Sequence, residues 1–206
     1  MKKACILASS PRKNSNTLSL VKPFVSELEC LDFSCNIIDL YKKDIKPCIA
    51  CRSCQSARTD FGCSQKDDME EIFNCIFSSD LIILASPLYS WYCTPPMKAA
   101  LDRLVYGMNK FYGSPEGDEN PKGKKAAKEP GPSLWEGKHL AIITTCGYRP
   151  ERGADLFEEG IKRYCRHSRL RYLGMLAERH MGYGTVFMDA EKESHAREFA
   201  KILAEA

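Results

Sequence analysis

What constrains this chain most is a rhythm: short, nearly uninterrupted apolar runs alternate with longer amphipathic stretches. "CILAS" (Cys5 to Ser9), "NIIDL" (Asn36 to Leu40), "DLIILAS" (Asp80 to Ser86), "HLAIITT" (His139 to Thr145) and "RLRYLGMLA" (Arg169 to Ala177) read as five strands. Between them, Leu18, Val21, Val25 and Leu28 recur at helical spacing. Met69, Ile72, Phe73 and Ile76 do the same, as do Met97, Leu101, Leu104, Val105 and Met108. Two further helices are expected, from about Glu151 to Cys165 and from Glu191 to Ala204. Strands without polar alternation must be covered on both faces, and strands joined through helices run parallel. The expectation is an α/β chain with a five-stranded parallel sheet between helices, as one domain over residues 1–206.

Local punctuation refines this outline. Asp67 or Asp68, and Thr94 ahead of Pro95, stand where helix N-caps belong. Pro23 falls inside the first helical pattern and is expected to kink that helix or limit its first turns. Residues 109–137 break the rhythm: they are rich in Gly, Pro and Lys and read as an inserted, solvated surface loop. If ordered, this loop is expected to pack on a neighbouring subunit. Its basic run lacks interleaved aromatics, which argues against nucleic acid.

Charge excludes some classes of function. A net charge of +3 argues neither for nucleic acid nor for a membrane surface, and it tells against an acidic electron shuttle. The apolar run "ACILA" is too short for a signal peptide, and no stretch reaches the length of a membrane span. Eleven cysteines spread through strand-like and helix-like segments suit a reducing compartment, so a cytoplasmic protein is expected.

In an open parallel sheet, ligands bind beyond the carboxyl ends of the strands, so the loops leaving strands one, three and four belong together. The first, "SSPRKNSNTLSL", places Ser9, Ser10, Arg12, Ser15, Asn16 and Thr17 ahead of a helix N-terminus. Hydroxyls, a guanidinium fork and outward N–H groups suit a phosphate monoester. In the second, Pro87 stops the strand and Tyr89, Trp91 and Tyr92 follow in a loop, where they read as a cover for a flat ring or a second subunit. The third, "TTCGYRPERG", offers Gly147 for close backbone approach.

In the same order, "SSPRKNSNT", "CSQKDDM", "ASPLYSWYCTPPMKAALDR" and "TTCGY" resemble the motifs of the flavodoxin-like, NADPH-dependent FMN reductase family. The resemblance spans about residues 4 to 177 apart from the insertion. It implies a doubly wound sheet of order 2-1-3-4-5 and noncovalent FMN. Ser10, Arg12, Ser15, Asn16 and Thr17, beside Ser9, would hold the FMN phosphate. Pro87, Leu88, Tyr89, Ser90 and Trp91 would line the isoalloxazine, with Thr145, Cys146 and Gly147 on its other flank. Ser9 and Ser15 replace two family glycines, which is tolerable where neither needs a positive φ. The flavin, and no protein acid or base, would carry the chemistry, with electrons arriving from NAD(P)H or ferredoxin. The resemblance also implies a homodimer or homotetramer.

Residues 45–66 form a cysteine-rich loop in which Cys48, Cys51 and Cys54 have C-x2-C-x2-C spacing and Cys63 follows. Such spacing lets successive thiolates face one cubane cluster, with Arg52 and Arg58 offsetting charge. It also resembles the iron–sulfur flavoprotein branch of the same family, which implies a [4Fe-4S] cluster beside FMN. Zinc, a redox-active disulfide and a loop of reduced thiols remain open. The whole chain then reads as an FMN-dependent oxidoreductase. Its rivals are a cluster-free NAD(P)H-dependent FMN or quinone reductase and a non-enzymatic electron carrier or thiol redox sensor. His139, His167, His180 and His195 lack metal-ligand spacing; His180, just after the last strand, is expected at the surface, with the flavin edge as the lesser alternative.

Overall fold

In the computed structural model, which describes residues 1–110, 131–182 and 186–206, strands and helices alternate throughout. Strand β1 (Lys2–Ala8) leads through a loop into helix α1 (Asn16–Cys30), which returns to β2 (Phe33–Asp39). A long connection with 3₁₀ turns at Leu40–Lys42 and Ser53–Gln55 carries the cysteine loop to α2 (Met69–Phe77). Then come β3 (Leu81–Pro87), α3 (Pro95–Met108) and β4 (His139–Cys146). The short α4 (Pro150–Gly153), α5 (Asp155–Ser168), β5 (Arg171–Arg179) and α6 (Ala190–Ala204) complete the order.

All neighbouring strands pair in parallel, in the order β2-β1-β3-β4-β5. The near-continuous apolar runs follow from this arrangement, because alternate side chains of one strand enter different cores. Cys5, Leu7, Ile82, Leu84, Leu140 and Ile142 pack under α2, α3 and α5. Ala4, Ile6, Ile83, Ala85, Ala141 and Ile143 pack under α1 and α6. The expected doubly wound topology is the observed one. Its reversal point lies between β1 and β3, where the loops after both strands open at the same sheet edge.

Several local expectations need correction. Helix α1 extends for about two turns before Pro23 and continues beyond it, so the first turns are not limited; the ring is buried, and packing on the sheet and on α6 outweighs one lost hydrogen bond. The helix expected over 151–165 is divided at Ala154, which is fully buried, into α4 and α5. Thr94 and Asp68 occupy N-cap positions without making cap bonds, because their side chains are engaged elsewhere.

The expected surface loop at 109–137 has a buried stem. Asn109 bridges Ser133, and Lys110 and Trp135 are each 1% exposed. Asn109 explains this, since its side chain donates to Val105 O and Ser168 Oγ and accepts from Ser133 Oγ and Trp135 Nε1. Residues 111–130 lie outside the described residues, and so does the contact with a neighbouring subunit expected there. Among the described residues, no helix is long and apolar enough to cross a membrane.

Candidate functional site

The loop after β1 is held by hydroxyls. Thr94 Oγ1 donates to the Ser9 carbonyl at 3.0 Å. Its single proton is thereby used, so the 2.5 Å contact between the two side chains has Ser9 Oγ as donor. The Thr94 N–H donates to Ser86 Oγ at 3.1 Å, and Thr144 Oγ1 donates to the Ser86 carbonyl at 2.7 Å. Thr17 and Thr145 hydroxyls meet at 2.8 Å. These buried, neutral bonds fasten the ends of β1, β3 and β4 to one another. Ser15 caps α1 in an extended conformation (φ −93°), with its Oγ accepting from the Leu18 N–H at 3.0 Å. Neither Ser15 nor Ser9 has a positive φ, so serine replaces glycine at both positions without backbone strain.

Against this frame lies a cavity of about 240 Å³ lined by Ser10, Arg12, Asn14, Ser15, Asn16, Thr17, Pro87, Tyr89, Thr145, His180 and Gly182. Five of the phosphate-loop residues expected from the sequence are therefore together with Pro87, Tyr89 and Thr145. Ser9 lies behind the cavity, in the hydroxyl network. Leu88 turns into the core, its N–H donating to the Thr145 carbonyl at 2.9 Å. Cys146 is also buried; its thiol donates to the Tyr148 carbonyl at 3.3 Å, and burial pushes its pKa up. Gly147 borders the cavity through His180, whose imidazole would lie 3.6 Å from a Cβ added there.

Ser90 and Trp91 form the tip of a two-residue turn closed by Tyr89 and Tyr92, which exchange N–H···O bonds of 2.9 and 3.1 Å. Their φ values, 51° and 62°, are both left-handed, a pattern that favours Asn-Gly. A tryptophan held there costs about 1–2 kcal/mol of backbone strain. Its ring stacks on Tyr148, with centroids 5.8 Å apart and planes 15° from parallel.

The cysteine loop is assembled differently. Its stem is closed where Asp68 accepts from the Asp44 N–H (2.8 Å) and Asp67 from the Lys46 N–H (3.0 Å). Left-handed residues Ala50, Arg52 and Gly62 turn the chain back on itself. Phe61 is buried, stacked on Phe73 and seated over Gly107 of α3, where an added Cβ would meet its ring at 2.1 Å. Lys110 Nζ reaches from the end of α3 to the Cys54 and Asp60 carbonyls, 2.8 Å each. Burial lowers the pKa of that ammonium.

Arg103 of α3 binds the buried Asp67 carboxylate through Nη1 and approaches Cys63 Sγ through Nη2 at 3.1 Å. Burial alone would raise the Asp67 pKa, but hydrogen bonds from Arg103 and from the Lys46 and Met69 N–H groups hold it below the ordinary carboxylate range. Arg103 Nε is buried with no hydrogen-bond partner among the described residues.

Cys48, Cys51, Cys54 and Cys63 all line one cavity of about 140 Å³, together with Arg52, Phe61, Arg103 and Tyr106. Hydrogen bonds from Ser53 and Ser64 lower the Cys51 thiol to about 7, whereas burial raises Cys54. Among the described residues, no group of three or more His, Cys, Asp or Glu side chains is arranged to hold a single metal ion. The donor set itself, four sulfurs with neither imidazole nor carboxylate in the lining, suits soft thiophilic metals.

Three residues escape the sequence reading, and a fourth lies where the sequence offers only the lesser expectation. Asn14 sits within the quoted loop. His180, expected at the surface, is half-buried in the larger cavity because it directly follows β5 at the same sheet edge. Arg103 and Lys110 supply the buried charge near the cysteines that Arg52 and Arg58 were expected to provide; Arg52 lines the cavity but is exposed.

The chain is similar to several known proteins. An iron-sulfur flavoprotein of Archaeoglobus fulgidus is 35% identical over 106 residues, covering 51% of this chain and 47% of that protein. One from Methanosarcina thermophila is 30% identical over 99 residues, covering 48% of this chain and 50% of its own. The chain thus matches about half the length of these curated relatives. An FMN-dependent NADH-azoreductase of Bacillus anthracis, solved with FMN, superposes with a TM-score of 0.65 at 16% identity, covering 99% of this chain and 100% of that one. An NAD(P)H:quinone oxidoreductase of Methanothermobacter marburgensis gives a TM-score of 0.63 at 17% identity, covering 98% and 95%. At such identities these two likenesses establish the fold alone. The sequence profile of the NADPH-dependent FMN reductases matches residues 2–154, and the chain belongs to that family.

Proposed function

We propose that the chain is an FMN-dependent oxidoreductase, passing electrons from a reduced donor, NAD(P)H or ferredoxin, to a small-molecule or protein acceptor. One observation carries this reading: Ser10, Arg12, Ser15, Asn16, Thr17, Pro87, Tyr89 and Thr145 line a single cavity at the N-terminus of α1. When bound, FMN supplies hydride and single-electron transfer through its isoalloxazine ring. The residues present fit its phosphate. Ser15 spends an acceptor lone pair on the helix and keeps its proton to donate, while the outward N–H groups and dipole of α1 favour the anion. Arg12 adds a fixed positive fork, and Pro87 and Tyr89 give the ring an apolar wall.

The same proposal assigns a [4Fe-4S] cluster to Cys48, Cys51, Cys54 and Cys63. Support comes from their shared cavity, from the Arg103 cation beside Cys63, and from the name carried by the curated relatives. A cubane presents separate iron corners, so its thiolates need not converge on one point as they do around a single ion. The alternative of a thiol redox sensor without a cluster is favoured by the exposed Cys51, whose Sγ lies 3.4 and 3.3 Å from the Ser53 and Ser64 hydroxyls.

Protein purified without oxygen should show flavin absorption over a broad shoulder, with about four irons and matching acid-labile sulfide per chain. Flavin bands with no iron after anaerobic reconstitution would leave a cluster-free reductase. Absence of FMN binding would sink the whole reading.

A further inference from the structure

Cys48, Cys51 and Cys54 are neighbours in sequence, but eight residues intervene before Cys63. The side chain that meets Cys63 at the cavity comes from another element. Arg103 of α3 is 2% exposed, and its guanidinium is spread over several partners. Nη1 donates to the Asp67 carboxylate and to the Lys46 carbonyl at 3.3 Å, Nη2 donates to Cys63 Sγ at 3.1 Å, and the Phe61 ring centroid lies 5.9 Å from the guanidinium carbon. Nε is buried and has no hydrogen-bond partner among the described residues. Nε and Nη2 share one edge of the planar fork, so the unused donor lies beside the one that meets Cys63. Lys110 is a second buried cation, held by the Cys54 and Asp60 carbonyls and in no ion pair among the described residues.

A buried N–H without an acceptor is costly, and folded proteins keep few of them. The acceptor that completes this edge has to sit next to Cys63 Sγ, in the cavity that Arg103 lines together with the four cysteines. A cubane carries inorganic sulfides beside its thiolates, and its negative charge grows with each electron taken up. We infer that Arg103 positions the cluster: its Nε–Nη2 edge donates to Cys63 Sγ and to an adjoining sulfide, which selects Cys63 as the fourth ligand and raises the reduction potential of the centre. On reduction one electron enters the cluster from the donor, and no covalent bond forms or breaks. The donated hydrogen bonds strengthen as the sulfurs gain charge, so the reduced form is stabilised more than the oxidised one. This rests on the cluster assignment and deepens it by naming a residue that is not itself an iron ligand.

The test is a mediated redox titration of the cluster in FMN-loaded protein purified without oxygen, with iron and acid-labile sulfide assayed on each sample. Removing Arg103 alone strands the Asp67 carboxylate, so the informative variant is R103M/D67N, which leaves neither charge of that pair buried alone. Its redox equilibrium should move toward the oxidised form by at least about tenfold, a potential lower by about 59 mV. R103K keeps the charge and the Asp67 pair but gives up the fork; it should retain its iron with a shift of about threefold, or about 28 mV. Cys63→Ala should hold about three irons per chain rather than four. Unchanged potentials in the arginine variants, or four irons kept in Cys63→Ala, would overturn the inference and leave the cluster assignment standing. If R103M/D67N holds no iron, R103K decides alone, and an unchanged potential there overturns the inference. Wild-type protein without iron after anaerobic reconstitution is the separate failure: it removes the cluster assignment, and this inference with it.

Discussion

Around the larger cavity, three strand ends are tied together by neutral hydroxyls: Ser9 to Thr94 at 2.5 Å, Thr17 to Thr145 at 2.8 Å, and Thr144 to the Ser86 carbonyl at 2.7 Å. Around the cysteine cavity, a loop without strands is fastened to α3 by buried charge, from Arg103 to Asp67 and from Lys110 to two backbone carbonyls. The difference is one of cost. A neutral hydroxyl network pays little desolvation and is indifferent to pH, whereas a buried ion pair is tolerable only while both partners stay charged. The first region is part of the sheet's own edge. The second is an attachment, as secure as its few anchors.

The sharpest way to break this contrast is to remove one anchor. Arg103→Met leaves the Asp67 carboxylate buried and unpaired, and a loss of about 3–5 kcal/mol is expected in denaturant titration. Cleavage by protease should begin within residues 45–66, and a global collapse with no local cleavage would erase the distinction between the two regions. Gly107→Ala is next: its methyl meets the Phe61 ring, so about 1–3 kcal/mol should be lost and the cysteine cavity disturbed while FMN affinity holds. The reciprocal change, Ser9→Ala, should cost about 1 kcal/mol and weaken FMN binding without altering the reactivity of the cysteines.

Replacing Ser90-Trp91 by Asn-Gly relieves two left-handed residues but gives up a stacked ring. A net gain of about 1 kcal/mol, seen as a raised Tm, is expected because strain at two positions exceeds the worth of one stack. The smallest effect is that of acid. The Asp67 pKa is depressed in the folded chain, so its contribution is complete above the ordinary carboxylate value of about 4 and is lost as pH falls below it. Hydrogen exchange should rise first in the cysteine loop as the solution is acidified, and equal rises in both regions would contradict the charge-anchored picture.

The same contrast governs what the sequence discloses. The sheet and the phosphate loop are legible because apolar periodicity and a run of hydroxyls before a helix are local signals. The side chains that decide the cysteine region act over long separations: Arg103 meets Asp67 and Cys63 from another element, and Lys110 reaches Cys54 and Asp60. Nothing local in "LDRL" or "MNK" announces this. The aromatic loop shows the same limit. Tyr89, Ser90 and Trp91 are adjacent in sequence, yet a left-handed turn sends Tyr89 to the cavity and Trp91 onto Tyr148. A single imidazole carries no spacing, so the sequence favours the surface over the flavin edge for His180, although its place just after β5 fixes the sheet edge on which it falls.

The closed stem at Asn109 and Ser133 bears on how such a chain can diversify. Backbone bonds from Lys110 N to Pro132 O and from Leu134 N to Met108 O, 2.9 and 2.8 Å, bring the two ends of the intervening stretch side by side. Loop-closure entropy grows only with the logarithm of length, so doubling that stretch costs about 0.6 kcal/mol. A chain closed in this way can change in length between Lys110 and Pro132 at little cost in closure entropy, provided that Lys110 is kept for its bonds to the cysteine loop.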